Sequence, residues 1–376
     1  MFSKQRGAMT KPRICILASQ YFGWGAYSGF GSMPRKLARS LAAEGVPVTV
    51  ITQRRGEQRP FEQIEGVPVY SYAGLNIGEM CRLIRATDAN IFHSQNPSLL
   101  TYLAQKLRRD CVHIVTCRDP HYRVDWLIEF RYATNRRRLL LAANYLSEAS
   151  FLVRQAVRNA HGVFCPAEFL RPKVRYIFGL RELPGILPNL TTVPKSLPPK
   201  SQTPTFVFVS RWDKRKRPWL FLDLAKEFPQ YRFIATGQST ALGESGYDHS
   251  LRRRYENLPN LEIPGLINQF DEPDRFSQTL SGTWALVNTS ARESLALTFL
   301  EAAAHGCALL SGIDPDQWVS RFGQHVQNDD FASGLRTLMA NSPIDKGRAA
   351  YECMKSSRHE HARALNEHIG LYCQYS

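Results

Sequence analysis

Two glutamates eight positions apart, Glu293 and Glu301, stand in the stretch SARESLALTFLEAAAHG at 290–306. A predicted strand ends at Ser290 and a predicted helix opens near Leu297. A helix start exposes unpaired backbone N–H groups and a partial positive charge, which suits phosphate. Glu301, one turn into the helix, is placed to accept hydrogen bonds from a ribose diol beside that phosphate. Glu293, in the loop before it, is placed to reach hydroxyls on a group beyond. The spacing suits a nucleotide-diphosphate sugar. It is equally that of a solvated loop glutamate followed by a helix-surface one. A second cluster, Ser210-Arg211-Trp212-Asp213-Lys214-Arg215-Lys216-Arg217-Pro218, directly follows the apolar run FVFVS. A cationic loop at a strand's carboxyl end is placed to hold a diphosphate, with arginine bidentate and lysine a point charge. Alone, such a run reads as a solvated face. A third stretch, Ser28-Gly29-Phe30-Gly31, follows the first predicted strand. Its glycines allow close backbone approach to a ligand, although it is neither G-x-G-x-x-G nor a Walker loop.

The elements that must position these residues alternate. RICILA (13–18) reads as a buried strand, the glycine-aromatic loop 20–32 follows, and PRKLARSLAAEG (34–45) reads as a helix with Pro34 in its first turn and Gly45 at its end. PVTVIT (47–52), VPVYSY (67–72), NIFHSQ (90–95), HIVTC (113–117) and GVFCPA (162–167) read as strands, with helices over 78–87, 99–110 and 139–160. The proline-rich stretch LPNLTTVPKSLPPKSQTPT (187–205) reads as a linker. Beyond it the rhythm restarts, with strands at 205–210, 231–236, 261–265, 283–290 and 307–312 and helices at 219–228 and 297–306. Strand–helix alternation predicts parallel sheets. Ligands of such sheets bind beyond the strands' carboxyl ends, so the loops 19–33, 95–98, 118–123, 211–218, 237–246 and 290–298 are where chemistry is expected. At the chain's 376 residues, about 150 per domain predicts two domains.

Taken together, these motifs resemble family 4 of the retaining glycosyltransferases over most of the chain, most specifically in its second half. The family's Gly-Gly loop is matched by SGFG, with Gly29 kept and Ser28 in place of the first glycine; its G-R-x4-K loop by Ser210-Arg211…Lys216; its E-x7-E element by Glu293…Glu301; and its Pro-Asn by Pro188-Asn189. The resemblance implies an α/β GT-B fold, two Rossmann-like parallel-sheet domains facing a central cleft: 1–190 for the acceptor, a linker at 191–205, 206–350 for the donor, and a helical segment 351–376 crossing back to the first domain. It implies donor-diphosphate binding by Arg211 and Lys216, ribose binding by Glu301, contact of Glu293 with the transferred sugar, and backbone contacts from Ser294, Leu295, Ala296, Leu297 and Thr298. No metal and no cofactor beyond the donor is implied. The family loop E-G-F-[GP]-L reads Glu293-Ser294-Leu295-Ala296-Leu297 here, and its frequent His-Asp reads Arg118-Asp119. Arg118 is therefore a candidate for an anionic acceptor or a donor phosphate. Asp119, His93 and Asn96, with Gln95, are further acceptor candidates.

Charge bounds the partners. Residues 1–190 hold 27 Lys/Arg against 13 Asp/Glu, so nearly all of the net +15 lies in the first half. Arg131, Arg136, Arg137 and Arg138 lead into LLLAANYL, which suits docking on anionic lipid. No helix-turn-helix, RNP or zinc module supports nucleic-acid binding. The eight cysteines form no C-x-x-C pair and Met1–Lys11 lacks a signal peptide's apolar run, so the chain reads as cytoplasmic, peripheral on the membrane's inner face. Asp314-Pro315-Asp316 reads as a turn, and His359-Glu360-His361 as a surface stretch without zinc-helix spacing. The activity expected is retaining, metal-independent hexosyl transfer to a polysaccharide or lipid-linked acceptor hydroxyl in glycan biosynthesis. The alternatives are a sugar-nucleotide 2-epimerase of the same fold and a non-catalytic membrane or polyanion binder.

Overall fold

A computed structural model describes residues 11–24, 28–239 and 245–376. Met1–Thr10, residues 25–27 of the glycine-aromatic loop and residues 240–244 of the 237–246 loop lie outside the described residues.

Two sheets carry the fold. The first is built from β1 (Ile14–Ala18), β2 (Val48–Gln53), β3 (Phe61–Ile64), β4 (Val67–Tyr72), β5 (Ile91–Ser94), β6 (Val112–Thr116), β7 (Gly162–Cys165) and β8 (Gly185–Ile186). Its order is β3-β4-β2-β1-β5-β6-β7-β8. All its pairings are parallel except the β3–β4 hairpin. That hairpin turns through Glu65 and Gly66, both at positive φ, the two-residue geometry that matches strand twist. The second sheet is built from β9 (Thr205–Val209), β10 (Arg232–Thr236), β11 (Leu261–Gly265), β12 (Ala285–Asn288), β13 (Ala308–Ser311) and β14 (Gly323–His325), in the order β11-β10-β9-β12-β13-β14, all parallel. The central strands are buried end to end, which is why they read as continuous apolar runs rather than alternating ones. In each sheet the order reverses beside the first strand, β1 or β9, and a crevice opens there. This is the two-Rossmann α/β architecture expected from the sequence.

Local departures have physical causes. The first helix runs Gly29–Ala43, so the SGFG stretch is its first turn rather than a preceding loop. Gly31 and Ser32 N–H groups bond the Ser28 carbonyl, and Pro34 is accommodated inside the helix. The expected helix over 139–160 is two, Asn135–Ala149 and Phe151–Arg158. Ser150 is extended between them, and its hydroxyl accepts from Val153 N–H as a cap. Asp314–Asp316 is a turn, as read, with Asp316 at φ 48°.

The helix His361–Gln374 packs on the first sheet, its Ala364, Leu365 and Tyr372 joining Ile14, Ile16 and Leu37 in one core. Buried histidines pin it. His93 bonds the Tyr372 hydroxyl at 2.7 Å, and His368 Nε2 meets the Pro188 carbonyl at 3.1 Å. Just before the helix, His359 Nδ1 accepts from Asn189 N–H at 3.0 Å. The expected surface position of His359 and His361 is corrected: His359 is buried, and His361 bonds the Ser40 hydroxyl. Burial drives the imidazolium form out, taking His359 down to about 4 and His368 to about 3. An unfolded histidine binds a proton near pH 6.5, whereas these stay neutral when folded, so stability is lost as pH falls below that value. The expected loss between pH 7 and pH 5 is about 2 kcal/mol per histidine, or about 4 kcal/mol for the two. Urea midpoints at the two pH values, with hydrogen exchange over 361–374, measure it; a flat profile would refute the assignment.

Candidate active site

The carboxyl ends of both sheets face one cleft. From the second domain, Arg211, Lys216, Glu293, the Ser294–Thr298 segment and Glu301 line it; from the first, Gly29, Arg118 and Asp119 do. The groups that the sequence spacing picks out thus converge on a single pocket between the lobes.

The basic run after β9 is not a solvated face. Arg215, Lys216 and Arg217 are all buried. Lys216 Nζ donates to Glu293 Oε1, which also accepts from the Ser290 hydroxyl at 2.9 Å. Burial opposes ionisation of Glu293, but the charges of Lys216 and Arg215 outweigh it and hold the carboxyl below its ordinary range. Arg211 pairs with Asp213 at 3.0 Å. Arg217, at φ 50°, turns inward and donates to the Thr289 carbonyl at 2.6 Å and to Asp329 at 2.5 Å, tying the Glu293 loop to the basic loop. The helix Leu297–Ala304 has Ala296 at its cap position, so no side chain takes up its first N–H groups. Those donors face the cleft. Gly237, another cleft residue, sits at φ +126°, and a Cβ there would lie 1.8 Å from the Ser210 carbonyl. Only glycine lets the two loops close on each other.

On the first-domain side several expectations are corrected. His93 is wholly buried, and both its ring nitrogens are used, one by Tyr372 and one by Thr116 at 2.8 Å. It supports the core and does not reach the cleft. Asn96 spends its carboxamide oxygen on the Arg118 backbone N–H at 2.9 Å and holds the loop rather than lining the cleft. Asp119 lines the cleft but is taken by Arg292, which donates to both of its oxygens. Arg118 is buried at the cleft wall, bonded to Gln95 and Asn189.

The sequence reading missed the residues joining the lobes. Arg292, one position before Glu293, reaches Asp125 at 3.0 Å and Glu129 at 3.5 Å as well as Asp119. Arg215 reaches Glu129 at 3.0 Å. Arg137, one of the arginines read as lipid-facing, instead approaches Glu129 and Asp213. Burial disfavours the Arg292 cation, yet the surrounding carboxylates more than compensate and raise its pKa. Lys36, on the first helix, donates to Glu301 across the cleft at 2.6 Å. Only the run of acidic residues 119–129 hinted at this, and nothing in it names the partner.

Residues 27–189 match Glycosyltransferase Family 4. The match spans most of the first domain. The whole chain shares the GT-B fold of solved structures. Sucrose-phosphate synthase from Thermosynechococcus elongatus superposes at TM-score 0.69 with 15% identity, covering 96% of this chain and 98% of that one. Anabaena HepE in complex with UDP-glucose superposes at 0.67 with 14% identity, covering 96% and 99%. WaaG, a glycosyltransferase involved in lipopolysaccharide biosynthesis, superposes at 0.65 with 12% identity, covering 96% and 99%. No curated protein is significantly similar in sequence.

Arg292→Ala would remove the cation shared by Asp119, Asp125 and Glu129. Removing one partner of a buried ionic cluster costs about 3–5 kcal/mol. The variant is expected to lose that much in urea denaturation and to show a larger radius of gyration in X-ray scattering as the lobes part. An unchanged radius with unchanged stability would contradict the clamp.

Proposed function

We propose that this protein is a retaining, metal-independent hexosyltransferase of glycosyltransferase family 4. It would bind a nucleotide-diphosphate sugar in the second domain and pass the sugar to an acceptor hydroxyl presented by the first. One observation carries the reading: Arg211, Lys216, Glu293, Glu301 and the uncapped helix start at Leu297 all face one interlobe cleft. The match of residues 27–189 to Glycosyltransferase Family 4 and the fold shared with HepE, solved with UDP-glucose, support it.

In the proposed reaction the acceptor oxygen attacks the anomeric carbon from the face that the diphosphate leaves. The carbon–oxygen bond to the diphosphate breaks, and the acceptor's proton passes to the departing phosphate oxygen. Arg211, Lys216 and the helix N–H groups take up the charge that develops there, which is electrostatic catalysis. They supply cationic charge where other enzymes use a divalent ion. Glu301 holds the ribose diol, and Glu293 a sugar hydroxyl. Lys216→Ala is expected to lower kcat about 10²–10³-fold, the usual cost of one transition-state donor. Glu301→Gln is expected mainly to raise KM for the donor. Turnover of nucleotide-sugar panels, with proton NMR of the product's anomeric configuration, checks both the transfer and the retention. Conversion of donor alone into its epimer would point to an epimerase instead. Absence of binding to UDP, GDP and ADP would leave only a binding scaffold.

A second observation bears on the acceptor. Among the described residues no helix is long and apolar enough to cross a membrane. Yet Leu127, Leu139, Leu146 and Phe151 stand 69%, 78%, 67% and 72% exposed on adjoining helices, beside exposed Arg131 and Arg138. An apolar face rimmed by arginine suits the interface of an anionic bilayer. We propose that the first domain docks there and takes a lipid-linked acceptor. Co-sedimentation with phosphatidylglycerol vesicles is expected, weakened at least tenfold in Leu139→Glu/Phe151→Glu. Equal binding of the variant would remove the docking role.

A further inference from the structure

Among the described residues, every cation lining the cleft has a carboxylate partner except one. Arg211 has Asp213, Arg215 has Glu129 and Lys216 has Glu293. Arg118 is 7% exposed and, among the described residues, has no carboxylate within 4.0 Å. Its nearest acidic neighbour in sequence, Asp119, is occupied by Arg292.

Arg118 is held by neutral groups. Its Nε and Nη2 both donate to Gln95 Oε1, at 3.0 and 2.5 Å, and Nη1 donates to Asn189 Oδ1 at 2.6 Å. The guanidinium has five N–H bonds, and three are thereby used. The Gln95 oxygen's two contacts fix that amide's orientation, which leaves Gln95 Nε2 buried without a partner. A wall built only to join β5, β6 and the Asn189 segment would need no charge. Burying an uncompensated cation is costly, and burial is what pulls the Arg118 pKa down to about 9. The fixed fork, with two N–H bonds to spare on the cleft wall, matches the geometry of a carboxylate or phosphate.

We propose that Arg118 is a specificity-determining subsite for an anionic substrate group, a carboxylate or a phosphate, borne by the transferred sugar or by the acceptor. This rests on the reading of the cleft as a nucleotide-sugar site and names the class of substrate that it takes. The anion replaces the missing counter-charge, and a neutral sugar or acceptor leaves the guanidinium buried and unpaired.

The test is equilibrium calorimetry on the full chain. In one arm UDP, UDP-glucose and UDP-glucuronate are titrated, with the GDP-mannose and GDP-mannuronate pair in parallel. In the other, inorganic phosphate is titrated into the free protein and into the protein saturated with nucleotide. If the anion is on the donor sugar, the uronate donor binds about 10- to 100-fold more tightly than its neutral partner, the worth of a charge-assisted pair. If it is on the acceptor, the donors bind alike and phosphate binds instead. In either case Arg118→Gln abolishes the preference and Arg118→Lys keeps part of it. Circular dichroism and melting temperature show whether each variant folds. The wild-type comparisons stand without any variant: equal donor affinities together with no phosphate binding overturn the proposal. Failure of every nucleotide to bind would overturn the donor reading instead, and the phosphate arm on the free protein would still decide Arg118.

Discussion

The two lobes meet through ions rather than through apolar surface alone, and Arg292 is the centre of that meeting. It projects from the second domain into Asp119, Asp125 and Glu129 of the first. Each of those carboxylates is shared. Asp125 also takes Lys173 at 2.5 Å, and Glu129 takes Arg215. A buried ionic cluster of this kind adds little net stability against an apolar equivalent, but it is intolerant of any missing member. Its worth lies in placement. Arg292 immediately precedes Glu293, and Arg215 immediately precedes Lys216, so fixing the two arginines fixes the Glu293 carboxylate and the Lys216 amine relative to the opposite lobe.

The basic loop shows how neighbouring identical charges acquire different work. A 3-10 turn over Lys214–Lys216 followed by Arg217 in the left-handed region points successive side chains in different directions. Arg215 crosses to the first domain, Lys216 faces the cleft, and Arg217 turns beneath the Glu293 loop. The mutual repulsion of adjacent cations is offset because each has its own acceptor. The price is burial of all three, which holds only while Glu129, Glu293 and the Thr289 carbonyl remain in place.

The strand–helix alternation was legible because buried parallel strands carry uninterrupted apolar runs, as in β1 and β9. The convergence of Arg211, Lys216, Glu293 and Glu301 on one cleft was legible as well, since they lie within two short loops and a helix whose internal spacing the chain itself sets. What was not legible depends on pairing across distance. His93 reads from the sequence either as a strand-end acceptor contact or as a buried histidine, and the return of the C-terminal helix, bringing Tyr372, decides for burial. Asp119 looked free until Arg292 arrived from 173 residues away. The break at Ser150 also escaped a periodicity argument, because the apolar pattern continues through it while a single hydroxyl supplies a new cap.

The unliganded cleft is already ion-paired, and this shapes the proposed reaction. Lys216 is engaged by Glu293, and Glu301 by Lys36 from the other lobe. In that proposal a donor would exchange these partners rather than fill an empty charged hole. The diphosphate would draw Lys216 from Glu293 and free that carboxylate for a sugar hydroxyl. The ribose diol would compete with Lys36 for Glu301 while the Arg292 cluster keeps its own partners. Lys216 would thus exchange one anionic partner for another and stay paired where leaving-group charge develops. The lobes would remain tied by the Arg292 cluster and by Arg215 with Glu129.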